Sequence, residues 1–100
     1  MSGIKERIYE IVASIPEGSV MNYGRVAQLA GNSRASRVVG FVLHSNKDPV
    51  KYPCHRVVFK DGSLSTGFGM GGIEVQRERL LKEGISFLPD GRVDMKKHAI

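Results

Sequence analysis

Cysteine occurs once in these 100 residues, at position 54. A solitary thiol closes no internal disulfide, so a disulfide framework is excluded. No group of cysteines and histidines stands at zinc-ligand spacing, and a structural metal site is therefore not expected. Long apolar runs are also missing. None approaches the length that spans a bilayer, and the start Met1-Ser2-Gly3-Ile4-Lys5-Glu6-Arg7 lacks the apolar stretch of a signal peptide. A reducing cytoplasm and no membrane partner are the simplest expectation. Internal repeats and low-complexity tracts are absent. The four glycines between Gly67 and Gly72 lack the lysine and the spacing of a phosphate-binding loop, which excludes that kind of nucleotide site.

What is present suits one compact domain over residues 1–100, since the chain is 41% hydrophobic. The formal net charge of +5 and a pI near 9.7 favour a polyanionic partner, nucleic acid first.

Ile4, Ile8, Ile11, Val12 and Ile15 recur at helical spacing and predict an amphipathic first helix, stopped by Pro16-Glu17-Gly18. Asn22 reads as the N-cap of a short helix over 23–30, with Gly31 as its left-handed C-cap. Asn32 and Ser33 then cap a second helix over 34–45, and the pair forms a helix-turn-helix. On that second helix Ala35, Val38, Val39 and Val42 supply the buried side. Arg34, Arg37, Phe41 and His44 share another face, suited to DNA. Gly40 costs about 1 kcal/mol relative to alanine in mid-helix, which is easier to understand if another backbone or a nucleic acid comes close.

Val57-Val58-Phe59 is β-prone and the turn Lys60-Asp61-Gly62-Ser63 follows, which predicts a small hairpin or wing. Ile73, Gln76, Leu80 and Leu81 mark a last helix ended by Gly84, with Glu78 and Lys82 as an i,i+4 pair. Ile85-Ser86-Phe87, the turn Pro89-Asp90-Gly91 and Arg92-Val93 predict a terminal hairpin. His44 and His98 read as surface residues. The fold expected is mainly α with a small β wing, a winged helix-turn-helix-like single domain.

The most informative segment is Pro53-Cys54-His55-Arg56-Val57-Val58. Buried filler, accidental surface thiol and nucleophile are the roles open to a lone cysteine. An adjacent imidazole, able to polarise the thiol directly or through water, favours the nucleophile.

With the thiol motif and the helix-turn-helix together, the chain from about Ile4 to Gly84 resembles the DNA-binding and active-site domain of the O6-alkylguanine-DNA alkyltransferases. Pro53-Cys54-His55-Arg56-Val57 is similar to the acceptor-cysteine motif of that family. Tyr23, Arg37, Asn46 and Glu83 match at separated positions. The resemblance implies a double-stranded DNA partner containing O6-alkylguanine, flipping of the damaged base into a pocket, and irreversible transfer of the alkyl group to Cys54. It implies a relay from Cys54 through water to His55 and Glu83, with Asn46 fixing the turn before the thiol. Tyr23 would crowd the phosphate beside the target and Arg37 would enter the vacated stack, from a helix lying in the minor groove. Arg34, Ser36, Gly40 and Arg56 complete the implied DNA contacts. Pro53, Val57, Phe68 and Met70 line the implied pocket, with Met70 where a small polar residue is usual. No metal, nucleotide or organic cofactor is implied, and a monomer is expected.

The extra N-terminal domain of most such repair proteins is not matched. The helix start Glu74-Val75-Gln76-Arg77 and the run Leu81-Lys82-Glu83-Gly84-Ile85 also resemble the alkyltransferase-like proteins, non-catalytic lesion sensors that recruit nucleotide excision repair. Their acceptor position is typically tryptophan or alanine, whereas here it is cysteine, which favours the transferase.

Overall fold

A computed structural model describes residues 3–64 and 72–100. Helix α1 spans Ile4–Ser14 and turns Ile8 and Val12 into the core. It ends because Ile15 precedes Pro16, whose ring disfavours helical backbone in the residue before it; Ile15 is extended, at φ −71° and ψ 115°.

Strand β1 (Met21–Asn22) leads directly into α2 (Tyr23–Leu29). The Asn22 side chain caps α2 as expected, its Oδ1 accepting from the Arg25 N–H at 2.8 Å. At the other end Gly31 takes φ +100°, and the amides of Gly31 and Asn32 donate back to the carbonyls of Gln28 and Ala27. Both last-turn carbonyls are thereby satisfied in the manner that favours glycine just past a helix.

Helix α3 (Ser36–His44) begins two residues later than the capping pattern predicts. Asn32 Oδ1 accepts from the Arg34 N–H at 3.0 Å, so the asparagine stabilises the turn before the helix, and Arg34 lies in that turn. Val39, Val42 and Leu43 form the buried side together with Ala35, whereas Val38, expected inside, is 41% exposed. Both sets fit the helical period. Packing seats the larger leucine, and each additional buried methylene is worth about 0.8 kcal/mol.

A 3-10 turn at Cys54–Arg56 leads into β2 (Val57–Val58). The expected hairpin is corrected here. The chain does reverse at 59–63, with the Phe59 amide bonded to the Ser63 carbonyl, but β2 pairs in parallel with β1, Met21 opposite Val57 and Asn22 opposite Val58. Gly62 at that reversal has φ +91°, and a Cβ there would come within 2.5 Å of the Val93 carbonyl oxygen. Alternate strand residues face opposite ways. Met21 and Val57 therefore join a core with α1, α2 and α3, while Val20 and Val58 join a second core with Leu64, Leu80, Ile85 and Val93. The thiol segment is built into the wall between two cores.

Helix α4 (Gly72–Lys82) buries Gln76 and Leu80 and leaves Leu81 outside. The Glu78–Lys82 pair forms at 3.3 Å, but on side chains so exposed that its contribution is small. A terminal hairpin follows as expected, closed by a Phe87–Val93 bridge. Beyond it a short helix α5 (Met95–His98) brings the C-terminus back to β1, where Val20 bridges Ala99. His98 is not a free surface residue. Its Nε2 accepts from the Ser86 amide at 3.0 Å and lies 2.9 Å from the Ser86 hydroxyl, and its Nδ1 lies 3.1 Å from the Gly18 carbonyl. Among the described residues no helix is long and apolar enough to cross a membrane.

Candidate active site

Cys54 is 5% exposed and packs in the first core. Its position follows from the chain on either side. Asn46, itself buried, donates from Nδ2 to the Tyr52 carbonyl at 2.8 Å and accepts the Asp48 amide on Oδ1 at 3.0 Å. One side chain thus fixes the loop between α3 and the thiol. From the far side Gln76 on α4, fully buried, donates to the carbonyls of His55 and Val57 at 3.1 and 3.0 Å. Sequence reading placed Gln76 on its helix without a role. The available signal was a polar residue on the same stripe as Ile73 and Leu80.

His55 Nε2 lies 3.0 Å from Glu83 Oε2. The same carboxylate receives a fork from Arg56, Nε to Oε1 at 2.8 Å and Nη2 to Oε2 at 2.6 Å. Arg56 Nη1 donates to the Ile15 carbonyl at 2.8 Å. The guanidinium expected to meet DNA is therefore engaged inside the fold, a correction to the sequence reading: an arginine beside a buried carboxylate pairs with it bidentately.

These contacts set the protonation states. Burial works to raise the Glu83 pKa, but hydrogen bonds from Arg56 and His55 outweigh it and hold the carboxyl below its ordinary range. Burial lowers the His55 pKa, and although Glu83 pulls upward, the charges of Arg56 and Arg79 help keep the ring neutral. The His55–Glu83 contact is thus a charge-assisted hydrogen bond from a neutral ring. An ionised carboxylate only accepts, so Nε2 carries the proton and Nδ1 keeps its lone pair. Nδ1 is buried with no hydrogen-bond partner among the described residues. Burial raises the Cys54 pKa, and the Asn46 side chain and the Arg79 charge pull it only part of the way back. Both shifts favour the neutral forms, a thiol at Cys54 and an uncharged imidazole at His55.

A cavity of about 330 Å3 opens against this group, lined by Pro49, Pro53, His55, Arg56, Arg79 and Glu83 among others. Pro53 lines it. Val57 does not, being wholly buried in the core, a correction whose cause is its inward register opposite Met21. Phe68 and Met70 lie outside the described residues. Among the described residues no three metal-ligating side chains gather. Arg79, which the sequence gave no reason to select, acts on both Cys54 and His55 through its charge.

On the other side of the thiol segment, Arg34, Ser36, Arg37 and Gly40 belong to α3 and the turn before it, and Tyr23 opens α2. Tyr23 packs on Phe59 with ring centroids 5.3 Å apart. Among the described residues, a Cβ at Gly40 would meet only Tyr23 Cε1, at an ordinary 4.0 Å, and none of them requires that glycine.

Residues 3–85 match the model of a family described as 6-O-methylguanine DNA methyltransferase, DNA binding domain. The chain is 42% identical over 95 residues to the DNA base-flipping protein of Escherichia coli, covering 93% of this chain and 70% of that one. It is 36% identical over 81 residues to the rat methylated-DNA–protein-cysteine methyltransferase, covering 81% of this chain and 38% of that one. Among solved structures, that of S. pombe Atl1 in complex with damaged DNA containing O6-carboxymethylguanine superposes with a TM-score of 0.84 at 25% identity, covering 100% and 98% of the two chains.

Proposed function

The chain belongs to the 6-O-methylguanine DNA methyltransferase family through its DNA-binding domain, and on that premise we propose that it is a DNA repair protein that accepts the alkyl group of O6-alkylguanine on Cys54. The observation that carries the reading is a buried thiol next to a histidine whose Nε2 is held by Glu83, leaving Nδ1 as a base.

The target carbon is shielded inside a stacked duplex, so the nucleotide is rotated out, at roughly a few kcal/mol. Tyr23 at the start of α2 and Arg37 on α3 are the residues for that step. The Cys54 thiol then loses its proton, through water, to Nδ1 of His55, and Glu83 stabilises the imidazolium. The thiolate sulfur forms a bond to the alkyl carbon as the carbon–O6 bond breaks. The departing guanine takes up one proton, equal to the one the thiol released. The thioether is stable, so each molecule acts once. A thiol nucleophile needs a reducing compartment, which fits a cytoplasmic setting.

A second reading is a lesion sensor that binds O6-alkylguanine and recruits excision-repair proteins without transfer. Two observations favour it: the likeness to Atl1 over nearly the full length of both chains, and the upward push of burial on the thiol. Intact-protein mass spectrometry after incubation with duplex DNA containing O6-methylguanine separates the two. Transfer adds one methyl group to Cys54, and Cys54→Ala gains none. Lesion binding with no change in mass overturns the transferase reading in favour of the sensor.

A further inference from the structure

The cavity beside the thiol segment combines apolar and charged lining. Pro49, Val50 and Pro53 supply the apolar part. The charged part, among the described residues, is Arg56, Arg79 and Glu83, two guanidinium groups against one carboxylate and so a net charge of +1. Arg56 and Glu83 neutralise one another through their fork at 2.8 and 2.6 Å, which leaves Arg79 as the source of the surplus. That charge is felt at the reacting group, since it acts on both Cys54 and His55.

Size and placement narrow what the surplus charge suits. At about 330 Å3 the cavity has room for roughly ten waters at ~30 Å3 each, far more than a methyl group fills. A guanidinium binds a carboxylate by a planar fork, and does so more strongly where water is partly excluded; Arg79 is half-buried. Arg79 stands on α4, across the thiol segment from α2 and α3, so an anion carried into the cavity suits it better than a phosphate on the opposite face.

We propose that Arg79 is a specificity-determining residue whose guanidinium, in the wall of the cavity beside Cys54, selects O6 substituents ending in a carboxylate over neutral ones of the same length. The inference rests on reading Cys54 as the acceptor. In the transfer the Cys54 sulfur bonds to the first carbon of the substituent, the carbon–O6 bond breaks, and guanine leaves with the proton that the thiol released. The carboxylate keeps its charge against Arg79 throughout.

Iodoacetate and iodoacetamide test the selection without DNA. They are nearly isosteric, and each alkylates the chain's single thiol with loss of iodide. The ratio of their rates cancels the thiolate fraction and the burial of the sulfur, so it reads the field on the incoming group. Relative to β-mercaptoethanol, a neutral thiol, the parent protein is expected to favour iodoacetate about fivefold, a modest effect for one nearby charge. Arg79→Gln, a change that helices tolerate, should remove most of that preference. Arg79→Lys should keep most of it, added salt should reduce it, and Lys5→Gln, on the exposed side of α1, should leave it unchanged. Duplexes carrying O6-(carboxyethyl)guanine or its carboxamide, read by intact mass, should show the same preference and the same loss. A rate ratio that Arg79→Gln leaves unchanged overturns the selection. So does weaker binding of undamaged duplex by Arg79→Gln with a smaller salt slope, which would make Arg79 a phosphate contact. If neither duplex gives up its group while the rate ratio still depends on Arg79, the acceptor reading fails and the anion preference of the cavity stands.

Discussion

The Nε2 of His55 and the Oε2 of Glu83 meet at 3.0 Å across 28 positions of chain. Glu83 sits in the turn just past α4 and His55 in the 3-10 turn, and Gln76 ties the two elements together by its bonds to the His55 and Val57 carbonyls. The imidazole is oriented by the same packing that holds the fold.

Glu83 serves Arg56 and His55 at once, so removing it leaves a guanidinium unpaired in a mostly buried place. Glu83→Gln is expected to lower unfolding free energy by about 3 kcal/mol, as for other broken buried pairs. Arg56→Met combined with Glu83→Gln should cost clearly less than the sum of the single changes, as read by urea denaturation. Additive losses would deny the coupling. The pH dependence has a definite sign. The folded carboxyl titrates below its unfolded value of about 4.5, so its stabilisation is present above that pH and lost as pH falls through the folded value. Glu83→Gln should flatten that acid limb.

The charge of Arg79 lowers both the Cys54 and the His55 pKa, favouring the thiolate and disfavouring the imidazolium. Arg79→Gln should therefore move both titrations upward. Alkylation of Cys54 by iodoacetamide against pH reads one, and the imidazole proton shifts of His55 read the other. In the parent protein the thiol midpoint lies above the ordinary 9.0 because burial dominates. A midpoint that stays fixed or falls in Arg79→Gln would remove Arg79 from the electrostatics of the site.

His98 closes the C-terminal segment onto Ser86 and Gly18, and the adjacent Ile100 amide donates to the Val20 carbonyl at 2.9 Å. His98→Ala should cost about 1–2 kcal/mol, the scale of lost part-buried hydrogen bonds. Amide exchange at Ile100 should speed up strongly while Val39 and Val42 stay protected. Uniform protection across the chain would show that the clasp contributes nothing.

Much of this was legible locally. The Asn22 cap, the Gly31 stop, the α1 stripe and the helical run toward Glu83 depend on neighbours within four residues, where backbone geometry and hydrophobic period decide. The Pro53-Cys54-His55-Arg56-Val57 motif was legible as well, because an imidazole beside a lone thiol is already a chemical statement. The sequence could not say that Val57-Val58 would pair in parallel with Met21-Asn22, since strand pairing is settled between distant segments competing for the same edge. Nor could it show that Val38 would lie outside and Leu43 inside, because both satisfy the helical period and only packing against α1 and α2 chooses. The tertiary structure alone turned Arg56 from a candidate DNA contact into the partner of Glu83, and His98 from a surface residue into a clasp. A charge or a ring nitrogen finds its partner by proximity in space, and the low dielectric of a packed interior makes that partner hard to replace. The sequence by itself determined which atoms could react. Folding decided which of them are held, which are neutral and which remain free to meet another molecule.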